Sequence, residues 1–246
     1  MHDPALLAAL ERQPHVWYAW SERMPLPALA ERYLSLLDAE ETARYHRFYF
    51  DKDRQHYLAA HALLRLTLSR YAPLHPQAWR FERGAKGKPD IAADMGLPRL
   101  RFNLSHTQGL VACVIALDCR CGIDVEHQRS MRDMHGVAET VFSTAEIAWL
   151  RTQPEEKQAE TFFTFWTLKE AYIKATGEGL SAPLQNISFD IANPSIAVTF
   201  GQAVADETAH WTLQHWKLAN GHQLAVAADM RTIGATQMHE WDLSAK

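Results

Sequence analysis

The sequence predicts a mixed α/β (α+β) protein in which helical and extended segments follow one another twice over. Three observations carry this. Residues 28–50 and 59–71 have helical composition, with apolar residues recurring at three and four positions in 59–71, and 155–175 reads as a long amphipathic helix rich in aromatics. Short β-branched, apolar runs follow each of them. A break falls near residues 115–122, so the expected division is an N-terminal subdomain over 1–116 and a C-terminal one over 117–246. A chain of 246 residues is large for one simple core and comfortable for two small ones. No sequence repeat relates the halves.

Ala5–Leu10 is apolar and reads as a short helix. Helical composition then runs over 28–50 and resumes from Ala59 to Tyr71, with basic residues at Arg44, Arg47, Lys52, Arg54 and Arg65. The ordinary reading of such charges is a solvated helix face. Trp79–Phe81 turns extended, and Gly84-Ala85-Lys86-Gly87-Lys88-Pro89 is a positively charged loop. Arg101–Leu104, Val111–Leu117 and Cys121–Val125 read as buried strands of one sheet. Ser143-Thr144-Ala145-Glu146 is a helix start, since the serine and the first-turn glutamate can satisfy orphan amides. The aromatic-rich helix over 155–175 ends at Gly177 and Gly179. Strand-like pieces follow at Ile187–Ile191, Ile196–Phe200, Trp211–Trp216 and Gln223–Ala227.

Apolar residues at 47% and charged residues at 22% are ordinary globular usage, so an ordered protein is expected. Apolar runs such as Leu110–Leu117 fall far short of the roughly 20 residues that span a bilayer, and no membrane association is expected. The start, Met1-His2-Asp3-Pro4, lacks the basic flank of a secretory signal, which leaves a cytoplasmic location by default. Cys113, Cys119 and Cys121 read as reduced residues in or beside one strand pair, and Cys119-x-Cys121 lacks the second half-site that zinc requires. A net charge of -4 argues against a nucleic-acid partner.

In Gly122-Ile123-Asp124-Val125-Glu126 the carboxylates lie two apart on a strand and so share a face. Two adjacent acids repel unless a cation sits between them, and a hard ion such as magnesium, taking oxygens from carboxylates and substrate phosphates, meets that need. The ordinary alternative is a half-exposed strand of alternating character. Trp166, Glu170 and Lys174 follow at successive steps of four on one helix face; here the alternative is a Glu–Lys surface pair worth a few tenths of a kcal/mol. Ser105 and His106 stand where an apolar strand ends. With no nucleophile elbow or aspartate partner nearby, His106 suits phosphate binding better than base catalysis.

Taken together, Gly87-Lys88-Pro89, Phe102-Asn103-Leu104-Ser105-His106, Gly122 to Glu126 and Phe165-Trp166-Thr167-Leu168-Lys169-Glu170-Ala171 through Lys174 resemble the 4'-phosphopantetheinyl transferase superfamily, in its surfactin-synthetase-activating type. The resemblance implies a monomer of two similar subdomains related by a pseudo-twofold, each a small sheet with packed helices, holding coenzyme A in the cleft between them. It implies transfer of the 4'-phosphopantetheine group of coenzyme A to a serine of an acyl or peptidyl carrier protein, with release of 3',5'-ADP and magnesium as cofactor. By position, Asp124, Glu126 and Glu170 are implied as magnesium ligands, and Lys174 and His106 as contacts to the phosphates of coenzyme A. Arg44, Lys88, Pro89 and Ser105 are implied at its nucleotide end. Glu170, or a water held by the metal, is then the candidate proton acceptor, with Lys174 a fixed cation beside the departing phosphate. One departure is visible: a basic position of the family, three before Arg44, is Glu41 here, so part of the nucleotide contact is expected to differ or to be supplied by Arg47, Arg54 or His56.

Two other classes compete. A magnesium-dependent hydrolase of a nucleotide pyrophosphate would want the same three acids, lysine and histidine. A non-catalytic module that holds carrier proteins would tolerate their loss, and all are present.

Overall fold

The computed structural model describes residues 2–84, 87–97, 99–193, 195–201, 204, 210–230 and 236–245. In chain order its helices and strands are α1 (Pro4–Ala9), β1 (His15–Trp20), α2 (Leu26–Tyr33), α3 (Ala39–Arg47), α4 (Asp51–Tyr71), β2 (Phe81–Arg83), β3 (Pro89–Ile91), β4 (Leu100–Thr107) and β5 (Leu110–Leu117). There follow β6 (Cys121–His127), α5 (Met134–Val141), α6 (Thr144–Thr152), α7 (Glu155–Thr176), β7 (Ile187–Asp190), β8 (Ala197–Phe200), β9 (Trp211–Lys217), β10 (His222–Asp229) and β11 (Gln237–Glu240). They form two units, Met1–Cys119 with Thr232–Lys246, and Arg120–Arg231. The mixed α/β class with small sheets and packed helices is borne out.

In the first unit the described strands form a sheet in the order β11-β1-β5-β4, with a separate β2-β3 hairpin. β1 runs antiparallel to β5 and parallel to β11, with His15 opposite Gln237 and Tyr18 opposite Glu240. This corrects the expected division into 1–116 and 117–246: the last residues return to complete the first unit's sheet. The aromatic run of β1 buries Trp17 and Trp20. α4 lies on this sheet and buries Leu58, Leu63 and Leu68 completely, each worth roughly 2 kcal/mol.

The second unit has the antiparallel sheet β6-β10-β9 and the hairpin β7-β8. α7 covers its sheet with Phe162, Phe165, Leu168, Ala171 and Tyr172, and stops at Gly177, whose φ of 71° is the left-handed conformation that ends helices. The cap read at Ser143 is formed: its hydroxyl accepts from the Glu146 amide at 3.3 Å while the Glu146 carboxylate accepts from the Ser143 amide at 2.7 Å.

Two expectations fail together here. β4, β5 and β6 do not make one sheet: β4 pairs with β5, whereas β6 pairs with β10, Asp124 lying opposite Ala225. The three cysteines therefore do not share a strand pair, since Cys113 lies in β5 and Cys121 in β6; all are reduced thiols. The turn at Asp118, with φ 54°, redirects the chain. Hydrophobic strands adjacent in sequence pair about two times in three, and this is the remaining case. No helix among the described residues is long and apolar enough to cross a membrane.

Candidate functional site

The acidic motif lies on β6 as expected. Ile123 and Val125 are buried on one face of the strand at 0% and 1% exposure, which leaves Asp124 and Glu126 together on the other. Gly122 sets what lies over them. A Cβ there would collide with the Ala171 carbonyl oxygen and stand 2.5 Å from the Ala175 amide nitrogen, so only glycine lets α7 settle this close to β6. That approach brings the Lys174 ammonium to 2.6 Å from Asp124 Oδ1.

The four charged groups share one field. Burial raises the carboxyl of Glu126, Asp124 raises it further, and hydrogen bonds from Arg129 and the Trp166 indole pull it back. The Arg129 contact is 3.2 Å long. Burial likewise raises Glu170, with Asp124 and Glu126 adding to the effect and Lys174 opposing it. Trp166 was expected only to anchor the helix; it stacks on Phe162 and also holds Glu126. The donor set fits magnesium in kind, being three hard carboxylates whose mutual repulsion a divalent cation would relieve. Among the described residues, however, no group of three or more acidic, histidine or cysteine side chains is arranged to hold an ion, and Lys174 occupies one oxygen of Asp124.

Next to Glu170, Lys169 is buried to 1% exposure. Its ammonium meets Glu146 Oε2 at 2.8 Å and donates to the carbonyls of Leu184 at 2.8 Å and Ile187 at 2.6 Å. It bolts α7 to α6 and β7, and thereby fixes where Glu170 emerges.

The predicted nucleotide contacts all lie in the first unit. A cavity of about 370 Å³ is lined by Arg44, Gly87 and Pro89 together with Tyr57, His61 and Phe81, among others. An open hollow of about 420 Å³ is lined by Glu40, Arg44, Arg47, Phe48 and Arg83. Ala85 and Lys86 of the expected loop lie outside the described residues; Gly87, with φ 80°, completes the β2-β3 turn. Phe102 and Leu104 of β4 line the cavity, and His106 continues their face beyond its wall. Ser105 is buried on the opposite face. Lys88, Ser105 and His106 are thus not brought to the cavity lining among the described residues.

Glu41 is not simply a missing base. It is the third helical residue of α3 and forms a capping box with Asp38. Its Oε2 accepts from Arg65 Nε at 3.0 Å and Nη2 at 2.6 Å, and its Oε1 lies 2.7 Å from His61 Nδ1. Arg65 has no exposed surface, which overturns the solvated-face reading for that residue. Of the three expected substitutes, Arg47 lines the open hollow, Arg54 pairs with Asp51 at 2.8 Å, and His56 accepts from the Gly109 amide at 3.3 Å. Arg83, Tyr57 and His61 were not singled out. Arg83 directly precedes the glycine-lysine loop, a signal that was legible; His61 has none without its partner 20 residues away.

Comparison with known proteins gives the family. Residues 120–227 match the family model described as the 4'-phosphopantetheinyl transferase superfamily, and residues 20–118 match that described as 4'-phosphopantetheinyl transferase, N-terminal. The chain is 35% identical over 181 residues to the 4'-phosphopantetheinyl transferase HetI of a Nostoc species, covering 72% of this chain and 74% of that one. It is 33% identical over 159 residues to the 4'-phosphopantetheinyl transferase Sfp of Bacillus subtilis, covering 64% and 68%. Over 228 residues it is 28% identical to the human L-aminoadipate-semialdehyde dehydrogenase-phosphopantetheinyl transferase, covering 86% and 74%. The chain belongs to the 4'-phosphopantetheinyl transferase superfamily.

Proposed function

We propose that the protein transfers the 4'-phosphopantetheine group of coenzyme A to a serine of an acyl or peptidyl carrier protein and releases 3',5'-ADP. The observation that carries this reading is the grouping of Asp124, Glu126, Glu170 and Lys174 in one electrostatic neighbourhood on β6 and α7. The reaction needs a hydroxyl to attack the inner phosphorus of a pyrophosphate while negative charge builds on the departing bisphosphate. Lys174 supplies a fixed cation for that charge, held in place by Asp124. Glu170, or a water held by the metal, takes the serine proton. Glu126 is kept in position by Trp166 and Arg129. Asp124, Glu126 and Glu170 would hold magnesium, which when bound neutralises pyrophosphate oxygens.

The nucleotide end of coenzyme A falls to the first unit. Arg44, Arg47 and Arg83 around the open hollow suit a phosphomonoester, and the cavity beside them, with Tyr57, Phe81 and Pro89 in its wall, suits a planar base.

Intact-mass spectrometry of several apo carrier proteins incubated with coenzyme A and magnesium tests the reading. A gain of one phosphopantetheine mass is expected, and Asp124→Ala should abolish it while circular dichroism stays unchanged. Nucleotide release without any mass gain would make the protein a hydrolase instead, and undiminished loading by Asp124→Ala would remove the acid cluster from the chemistry.

A further inference from the structure

The cavity and the open hollow adjoin, sharing Glu40, Arg44 and Arg83, but their remaining walls differ. Arg47 and Phe48 complete the hollow, whereas the cavity continues into the apolar Tyr57, Phe81, Phe102 and Leu104, with Asp38, Glu41 and Glu82 as further acids and His61 as the histidine of its lining. Guanidinium groups suit a phosphate, and an aromatic and aliphatic slot suits a flat heterocycle. A polar side chain inside that slot is placed to read the edge of the heterocycle.

His61 is held for such a task. Its ring packs on Tyr57 at a centroid distance of 4.1 Å, and its Nδ1 faces Glu41 Oε1 at 2.7 Å. Glu41 cannot turn away, because Arg65 grips its other oxygen through two nitrogens and is itself anchored to the carbonyls of Pro76 at 3.1 Å and Trp79 at 2.9 Å. The same oxygen also accepts from the Asp38 amide at 3.0 Å, so Glu41 faces His61 as a carboxylate paired with a guanidinium. A carboxylate only accepts, so the imidazole must carry its proton on Nδ1. In the neutral ring Nε2 is then a bare acceptor.

We infer that His61 is the base-reading residue of the nucleotide pocket, accepting a hydrogen bond at Nε2 from the exocyclic amino group of an adenine. Glu41 is its positioning residue, selecting the tautomer. The inference rests on the reading that this unit takes the nucleotide end of coenzyme A. A 6-oxo purine would turn an acceptor toward the Nε2 lone pair, and a site built around a hydrogen bond rejects a ligand that cannot make it.

Calorimetric titration of the full chain with 3',5'-ADP and with inosine 3',5'-bisphosphate tests this. The wild-type protein should prefer the adenine ligand by about tenfold, equivalent to ~1.4 kcal/mol. His61→Ala should bring the two affinities within about twofold of each other, and His61→Gln, whose amide oxygen can reach the Nε2 position, should restore part of the preference. Glu41→Gln gives the sharper result. Arg65 requires an oxygen at its side of the amide, which leaves the NH2 facing Nδ1 and moves the imidazole proton to Nε2, so the preference should invert toward the 6-oxo ligand. A merely structural role for Glu41 predicts no inversion. Retention of the wild-type ratio by His61→Ala, or equal wild-type affinity for both ligands, overturns the inference while leaving the nucleotide pocket standing. Wild-type protein that binds neither ligand overturns the pocket itself.

Discussion

The two units handle a buried cation in the same way. In each, a nine-residue helix begins with a capping box whose glutamate is its third residue: Glu41 in α3 and Glu146 in α6. In each, that glutamate pairs with a cation fourteen residues past the start of the long helix: Arg65 in α4, which begins at Asp51, and Lys169 in α7, which begins at Glu155. Both cations also donate to carbonyls beyond the helix, and both lie over phenylalanine rings, Arg65 over Phe81 and Lys169 over Phe142 and Phe189. The difference lies one residue further along. Leu66 follows Arg65, whereas Glu170 follows Lys169, and four residues on stand Arg70 and Lys174. One bolted helix carries Leu66 and Arg70 past its bolt, and the other carries Glu170 and Lys174, the pair to which the proposed chemistry falls.

The shared bolt is tested by breaking it on each side. Arg65→Ala and Lys169→Ala each strand a buried carboxylate, so each should cost about 3–5 kcal/mol in urea unfolding. Hydrogen exchange should place each loss in its own unit. A large loss from one variant and a negligible loss from the other would show that the likeness is only geometric. Arg65→Lys should be worse tolerated than Lys169→Arg is by geometry alone, because Arg65 uses its fork on Glu41 through both Nε and Nη2.

Acid should weaken both units next. His15 is fully buried on β1, with Nδ1 2.8 Å from the Tyr71 hydroxyl, and burial followed by the nearby His239 lowers its pKa from 6.5 to about 4. The native state keeps it neutral while the unfolded chain binds a proton below 6.5, so stability falls as pH drops from 6.5 to 4 and the effect is complete below that. Its contribution is about 3 kcal/mol. Glu41, held at about 2, adds a second loss as pH falls from 4.5 toward 2. His215 in the second unit is lowered to about 4 chiefly by burial, and it loses stability in the same direction as His15. His15→Asn keeps an acceptor for Tyr71 and should flatten the first decline; an unchanged slope in urea unfolding between pH 6.5 and 4 would assign that decline to other groups.

Gly122 marks a feature present in one unit alone. Among the described glycines of the first unit none brings the long helix against a strand, whereas a Cβ at Gly122 would strike the α7 backbone at Ala171 and Ala175. Gly122→Ala should therefore cost about 1–3 kcal/mol by overpacking and move Glu170 and Lys174 away from Asp124. Loading of a carrier should fall more than stability does. Loss of stability with undiminished loading would show that the acids tolerate a shifted helix.

How much of this was legible follows from where each partner lies in the chain. The acids of β6 and the Glu170–Lys174 step of α7 were legible because strand and helix periods fix which side chains share a face. Ser143 and Glu146 were legible as a cap for the same local reason. Asp38 and Glu41 carry the same spacing, but Glu41 was weighed against the absent basic residue and its capping role went unread. Arg65 and Lys169 look like surface charges until Glu41, 24 residues away, and Glu146 are seen beside them. β11 was invisible because its partner β1 lies at the other end of the chain, and a four-residue strand with no apolar run has no signal of its own. The pairing of β6 with β10 in place of β5 is likewise a choice among distant partners that strand composition does not encode.

The smallest effect is the most selective. Arg44 lies in the last turn of α3, lines the cavity and the open hollow, and lies over the Tyr57 ring at 5.7 Å. A contact to the non-reacting end of coenzyme A supplies ground-state and transition-state binding alike, so its loss should raise KM more than it lowers kcat. Arg44→Ala should weaken coenzyme A by about tenfold, or ~1.4 kcal/mol, since Arg47 and Arg83 remain at the hollow. Lys174→Ala in the other unit should do the reverse and act chiefly on kcat, because the charge it meets appears only as the bisphosphate departs. Steady-state kinetics of the two variants with one carrier protein read the division directly: a kcat defect from Arg44→Ala, or a pure KM defect from Lys174→Ala, would show that binding and chemistry are not divided between the units in this way.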